Sequence, residues 1–313
     1  MVDLLSLGPN FGCLTAFARP RKPAGMALAH IFANMTATVP NSAPDALAAL
    51  LALRRPLVMG ILNVTPDSFA DGGRYLDAQA AIGRAAAMAS DGADILDIGA
   101  ESTRPYGGAK PVSAEEELAR LTPVLPAMVK FGVPVSIDSN KAKVAAWALD
   151  HGAGIVNDVW GLQRDPDMAK LVAARGVPIV VMHNRDKADG AIDIIADVTA
   201  FFGRSLEIAT QAGIARDRII LDPGIGFGKT PEQSIVCIAK LGELTRFGLP
   251  LLVGASRKRF INSVTKAAPD ERIGGSIASH LEAVRNGATI VRVHDVSETM
   301  QALRVTAAIE AAR

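Results

Sequence analysis

From Pro56 to the C-terminus, short runs of aliphatic and β-branched residues alternate with longer, Ala-rich stretches whose apolar positions recur every three or four residues. The runs are "PLVMGILNV" (56–64), "DILDIG" (94–99), "VPVSID" (133–138), "GIVNDV" (154–159), "VPIVVM" (177–182), "RIILD" (218–222), "LPLLVG" (249–254) and "TIVRV" (289–293). They lack the in-out alternation of a half-exposed strand, so they read as parallel strands buried on both faces. The stretches between them, such as "DAQAAIGRAAAMASDG", "SAEEELARLTPVLPAMVKFG", "NKAKVAAWALDHG" and "PDMAKLVAARG", have helical period and close on a glycine suited to a left-handed C-cap. Several runs begin after Val-Pro or Leu-Pro, where proline is tolerated at a strand start. Eight strand-helix units over residues 56–313 match a closed (β/α)8 barrel, the TIM barrel, in count and in length. An open doubly wound sheet would have fewer strands or an evident edge.

Residues 1–55 differ in character. They hold only two acidic residues, Asp3 and Asp45, with scattered Gly and Pro and a basic patch at Arg19, Arg21 and Lys22. The positive charge follows the first apolar region, the reverse of a secretory signal. This segment reads as a poorly ordered N-terminal extension or an over-long start, with Met26 or Met35 as alternative initiators. Only residues 45–55 look helical, and the barrel domain is expected to span 56–313. The longest apolar candidate, "ALAALLAL" at 46–53, is far short of the ~18 residues of a membrane span.

Composition changes the picture little. The chain is 49% hydrophobic but only 4% aromatic, so its core is aliphatic. With 33 basic and 32 acidic residues it carries no electrostatic footprint for nucleic acid or an anionic membrane. Two cysteines, Cys13 and Cys237, make neither a disulfide framework nor a metal cluster, which favours a reducing cytoplasm.

The chemistry gathers at the strand ends, where barrels of this kind place their sites. Strand one ends at Asn63, strand two at Asp97 before the loop "ESTRPYGG", strand three at Asp138 and strand four at Asn157. Strand five ends at Met182-His183, strand six at Asp222, strand seven runs into "GASRKRF", and strand eight gives Arg292 and His294. Singly, Asp158, His183 or Glu101 has an equally good explanation as a cap or a loop hydrogen bond. A ring of carboxylates, amides and cations from six or more strands is harder to explain in that way. Burying unpaired carboxylates costs several kcal/mol each, so they need a partner, and Lys258 or a ligand's N–H groups are candidates.

One stretch, "LDPGIGFGKT" (221–230), resembles the end of a phosphate-binding P-loop, but the first glycine of that pattern falls on Pro223, which has no N–H to offer a phosphate. The dinucleotide pattern G-x-G-x-x-G fails at Lys229. Lys229 then reads as a loop or helix-start residue. The ring instead divides into two halves. Arg292, His294, Asn63 and the Ser102-Thr103-Arg104 loop suit a phosphate or diphosphate, with Asn63 able to ligate Mg²⁺. Asp138, Asn157, Asp222 and Lys258 suit a flat heterocycle, because a carboxylate accepts two parallel N–H bonds from an amino-pyrimidinone edge.

The motifs "GILNVTPDSFADGG", "DIGAESTRP", "SIDS", "IVNDV", "VMH", "LDPGIGFGKT", "GASRKRF" and "IVRVHDV" resemble, in order, those of the dihydropteroate synthases, pterin-binding TIM barrels. The likeness covers residues 56–313. It implies condensation of 6-hydroxymethyl-7,8-dihydropterin diphosphate with 4-aminobenzoate, giving 7,8-dihydropteroate and diphosphate in folate synthesis. It further implies Asn63 as a Mg²⁺ ligand, and Thr103, Arg292 and His294 on the diphosphate. Asp138, Asn157, Asp222 and Lys258 fall to the pterin side, Asp97 is a further substrate-binding residue, and Ser256, Arg257, Phe227 and Pro105 surround 4-aminobenzoate. Asp138, Lys258, Arg292 and His294 form the implied catalytic set, and a homodimer is expected. The sequence departs from the family at Ala100 and Tyr106, where glycine is commoner, and at "MHNR" (182–185). Tyr106 stiffens the second loop and bears on acceptance of 4-aminobenzoate or sulfonamides.

Two rivals share the barrel. A pterin-binding methyltransferase serving a corrinoid protein would need Asp138, Asn157 and Asp222 but not Arg292/His294, "STRP" or "SRKRF". A non-catalytic pterin-binding paralogue is opposed by the intact charges on six strands.

Overall fold

The computed structural model describes residues 45–65, 73–101 and 112–313. Each of the eight apolar runs forms a strand: β1 Leu57–Asn63, β2 Ile95–Gly99, β3 Val135–Asp138, β4 Ile155–Asp158, β5 Ile179–Met182, β6 Ile219–Asp222, β7 Leu252–Val253 and β8 Ile290–Val293. All paired strands are parallel, in the order β6-β5-β4-β3-β2-β1-β8-β7. A parallel bridge between Leu221 and Leu251 joins the two ends, closing the barrel. The helices α1 Ala46–Ala52, α2 Gly73–Ser90, α3 Ala114–Leu121, α4 Leu125–Met128, α5 Ala142–Asp150, α6 Pro166–Arg175, α7 Ile194–Ala212, α8 Pro231–Ala239, α9 Arg259–Val264, α10 Ile273–Arg285 and α11 Val296–Ala311 complete the described part. No described helix is long and apolar enough to cross a membrane.

Residues of one strand parity pack outward against the helices, as Val58, Leu96, Ile98, Val135, Ile137, Val181, Leu221 and Val253 do. Residues of the other parity point inward, because side chains alternate along a strand. At the N-terminal end the inward set is apolar: Leu57, Met59, Ile95, Ile155, Val180, Ile220, Leu252 and Ile290 form one cluster. Two residues further along, on the same face, lie Asp97, Asn157, Met182, Asp222 and Arg292. The barrel therefore has a dry floor and a polar mouth.

Helix α1 caps that floor. Asp45 accepts the Ala48 N–H at 3.0 Å as its N-cap, and Leu47 and Leu50 are buried in the inward apolar cluster. Arg55 grips Asp94 through both terminal nitrogens, at 2.8 and 2.6 Å, while Asp94 also accepts the Val58 N–H at 2.9 Å. Arg218 reaches Asp45 at 2.8 Å. Residues 45–55, placed by sequence in the extension, thus pack against the floor of the barrel. The apolar pattern of 46–53 reflects one face buried against strand starts, which sequence separation conceals.

Candidate active site

The mouth is organised around Arg292. Its Nε donates to Asp97 Oδ2 at 2.6 Å and its Nη2 to Asp138 Oδ2 at 2.7 Å. The same Asp97 oxygen accepts Asn157 Nδ2 at 3.0 Å, so side chains from β2, β3, β4 and β8 form one network. Among the described residues Asp97 Oδ1 and Asp138 Oδ1 are buried without a hydrogen-bond partner. Burial drives the Asp138 carboxyl up to about 7 against the pull of Arg292, with the Asp97 charge adding to the rise. Burial works against the Arg292 charge, but Asp97 and Asp138 outweigh it and hold the guanidinium above its usual range. Arg292 rather than Lys258 is therefore the hydrogen-bonded partner of the Asp97 and Asp138 carboxylates.

Opposite, the loop after β6 shapes a second wall. Asp222 Oδ1 accepts the Gly224 N–H at 2.7 Å, and burial raises its pKa although that bond opposes the rise. Lys258 Nζ donates to the Ile225 carbonyl at 2.6 Å and stands 4.0 Å above the Phe227 ring. Burial lowers the Lys258 ammonium to about 7, opposed by Asp222. One pocket is lined by Asp138, Asn157, Asp222, Phe227, Lys258 and Arg292 among others.

Beside it, Ser256 Oγ accepts the His294 N–H at 3.1 Å and lies 3.0 Å from His294 Nδ1. His294 is thus tied to Ser256, while Arg292 is drawn away between carboxylates. Arg257, whose φ is 57°, is fixed by Asp295 at 3.0 and 2.5 Å. Its backbone N–H donates to Ser276 Oγ at 2.8 Å, and its carbonyl accepts Arg272 Nη1 at 3.0 Å. The buried His280 accepts the Ala255 N–H at 3.2 Å through Nε2, and burial holds its pKa down at about 4.

Asn63 ends β1 beside Gly99 of β2, half-buried at the mouth. Thr103, Pro105 and Tyr106 lie outside the described residues. Asp158 is a loop staple, accepting the Trp160 and Leu162 N–H groups at 2.9 and 2.7 Å. Glu101 is also structural: it accepts the Val112 N–H at 3.1 Å and Lys141 Nζ at 2.6 Å. An open cleft of about 480 Å³ bordered by Trp160, Arg164, Arg185 and Lys187 lies to one side, and none of the inward charged residues lines it.

Sequence reasoning missed a buried pair beneath this wall. Lys229, read as a loop residue, is buried, with Nζ 2.6 Å from His183 Nδ1 and 3.1 Å from the Phe227 carbonyl. The lone cation inside "GIGFGKT" was the available signal, since a lysine among loop glycines has little else to shield it.

Residues 59–294 match the sequence profile described as pterin binding enzyme. The dihydropteroate synthase of Bacillus subtilis is 46% identical over 252 residues, covering 80% of this chain and 87% of its own. Xanthomonas albilineans dihydropteroate synthase solved with 4-aminobenzoic acid is 43% identical with a TM-score of 0.78, covering 82% of this chain and 93% of that one. The same organism's enzyme solved with 7,8-dihydropteroate is 41% identical with a TM-score of 0.75, covering 82% and 94%.

Proposed function

This chain belongs to the pterin-binding enzyme family, and we infer that within it the chain is a dihydropteroate synthase, a transferase joining 6-hydroxymethyl-7,8-dihydropterin diphosphate to 4-aminobenzoate. The observation that carries this reading is the buried network of Asp97, Asp138, Asn157 and Arg292, which leaves Asp97 Oδ1 and Asp138 Oδ1 facing inward as acceptors. Those acceptors suit the N–H edge of a pterin, and Asn157 adds a donor and an acceptor. The relatives solved with 4-aminobenzoic acid and with 7,8-dihydropteroate support the same substrates here.

In the reaction the amine nitrogen of 4-aminobenzoate attacks the pterin methylene carbon. The C–N bond forms, the C–O bond to diphosphate breaks, and the amine proton is released. The aryl amine is neutral at pH 7 and needs no strong base, so the barrier lies in departure of the diphosphate. Electrostatic complementarity is then the main contribution. Asp138 stabilises positive charge building on the pterin methylene, and Lys258 meets a ring carbonyl or nitrogen. Arg292 and His294 bear the leaving-group charge, and Arg292 turns to it when pterin N–H groups take over its carboxylates. Ser256, Arg257 and Phe227 bound the 4-aminobenzoate side together with Pro105, where sulfonamides are expected to compete, and Thr103 adds a diphosphate contact.

Among the described residues no three His, Cys, Asp or Glu side chains come together as a metal cage. Asn63 offers an amide oxygen, a donor that suits Mg²⁺, an ion that keeps most of its waters and takes few protein ligands. Asn63 would hold it through its amide oxygen, and the ion would supply charge neutralisation on the diphosphate. The proposal extends to a cytoplasmic homodimer. Exposed Val264, Val305 and Ile309 on the outer helices after β7 and β8 support such a contact.

Incubation with the pterin diphosphate, Mg²⁺ and labelled 4-aminobenzoate is expected to release diphosphate and a labelled pteroate product. Absence of both would sink the synthase reading. Asp138→Asn is expected to lower kcat at least about a hundredfold while retaining pterin binding. Unchanged turnover with binding intact would remove its cation-stabilising role.

A further inference from the structure

We propose that Lys229, acting with His183 and Asp197, is a positioning residue for the pterin pocket: it stakes down the loop 223–229 so that the Ile225 carbonyl and the Phe227 ring hold Lys258 at the ligand. This rests on the synthase reading and adds to it a group that touches no substrate.

Lys229 Nζ lies 2.6 Å from His183 Nδ1 and 3.1 Å from the Phe227 carbonyl. An ammonium only donates, so His183 Nδ1 is the acceptor and the ring proton sits on Nε2. His183 Nε2 then donates to Asp197 Oδ2 at 3.0 Å, the oxygen that also receives Arg185 Nη1 at 2.8 Å. The chain Phe227 carbonyl, Lys229, His183, Asp197 is satisfied in one tautomer only. Burial, reinforced by the Lys229 charge, keeps His183 neutral, with its pKa down at about 3. Burial lowers Lys229 itself to about 8, so it is still mostly charged at neutral pH.

A buried lysine is costly, and an apolar side chain would fill the same space without that cost. What Lys229 adds is a fixed end to the loop. The rest of the loop lies against the segment after β5: a Cβ at Gly224 would fall 2.0 Å from the His183 carbonyl oxygen, and one at Gly228 would fall 2.4 Å from Arg185 Cβ. Both glycines have positive φ, 66° and 53°. The two loops therefore touch backbone to backbone, and Lys229 is the side-chain bond that locks them. The loop carries three features of the pocket: the Gly224 N–H on Asp222, the Ile225 carbonyl on Lys258 and the Phe227 ring beneath it. Released at Phe227, the loop no longer presents Ile225 and Phe227 to Lys258.

The test compares wild type with Lys229→Met, which keeps the bulk and removes the donors, and with Asp197→Ala. Asp197 is part-exposed, so its removal spares the core. KM for the pterin diphosphate is expected to rise about tenfold in Lys229→Met and about threefold in Asp197→Ala, with KM for 4-aminobenzoate rising by a smaller factor, since Phe227 alone of its proposed walls lies on this loop. A merely structural lysine would lower Tm and leave that split unchanged. A folded Lys229→Met with pterin diphosphate KM within about twofold of wild type, or with both KM values raised by the same factor, overturns the proposal. Where Lys229→Met does not fold, the same two outcomes in Asp197→Ala decide it. Calorimetric titration of the pterin diphosphate keeps the two readings apart. Wild type that binds it without turnover overturns only the synthase reading, and the Kd values of the variants then replace KM. Wild type that neither binds nor turns over overturns both.

Discussion

At the residue scale, Asp138 and Lys258 are one carboxyl and one ammonium brought by burial to the same range, each to about 7. Their responses to a bound pterin have opposite sign. Ring N–H donors favour the charged carboxylate, so they lower the Asp138 pKa and expel its proton. A ring acceptor favours the ammonium, so it raises the Lys258 pKa and takes a proton up. Below pH 7 free Asp138 is largely protonated and Lys258 already charged, so binding releases protons. Above pH 7 Asp138 is already ionised and Lys258 largely neutral, so binding takes protons up. Calorimetry of pterin binding in buffers of different ionisation enthalpy is expected to show net release near pH 6 and net uptake near pH 8, crossing close to about 7. A linkage of one sign throughout would remove one of the two groups from the contact. That Asp138 and Lys258 would line one pocket was legible because each follows an apolar strand that gives way to charge. That Arg292, not Lys258, neutralises the carboxylates was not legible. Arg292 is 195 residues from Asp97 in the chain, and only closure of the barrel decides which inward side chains meet.

At the element scale, the eight strands were readable because burial on both faces leaves a continuous apolar run that no surface segment imitates. Helix α1 was read only as a short helix in a nondescript segment, since its partners are the first residues of strands far along the chain. Leu50→Ala is expected to cost about 2–5 kcal/mol of stability through lost burial and a residual cavity. Read by urea unfolding, that loss should leave both KM values near wild type, because the floor touches no substrate. The loop after β6 shows the other limit. Its sequence did not show what its glycines are near: Gly224 and Gly228 approach the neighbouring loop. Gly224→Ala would force a left-handed conformation and a backbone clash, and is expected to destabilise by on the order of 3 kcal/mol or more. A thermal melt unchanged by that substitution would show that the two loops separate freely.

At the scale of the whole molecule, stability and chemistry occupy opposite ends of the same strands. Apolar inward residues pack the N-terminal end, and the charged network begins two residues later. With Asn63 as its one proposed protein ligand, Mg²⁺ would travel with the diphosphate rather than with the fold. Chelation of divalent ions is therefore expected to abolish turnover while Tm moves by no more than about 1 °C. A large fall in Tm would reveal a structural ion instead.

The floor sealed by α1 also sets traffic. With its base closed by α1, the barrel leaves the polar mouth as the passage for reactants and products. Of two ligands sharing that passage, the one seated deeper is expected to arrive first and depart last. The order of events is then a matter of queueing, imposed by one short helix at the far end of the barrel from the chemistry.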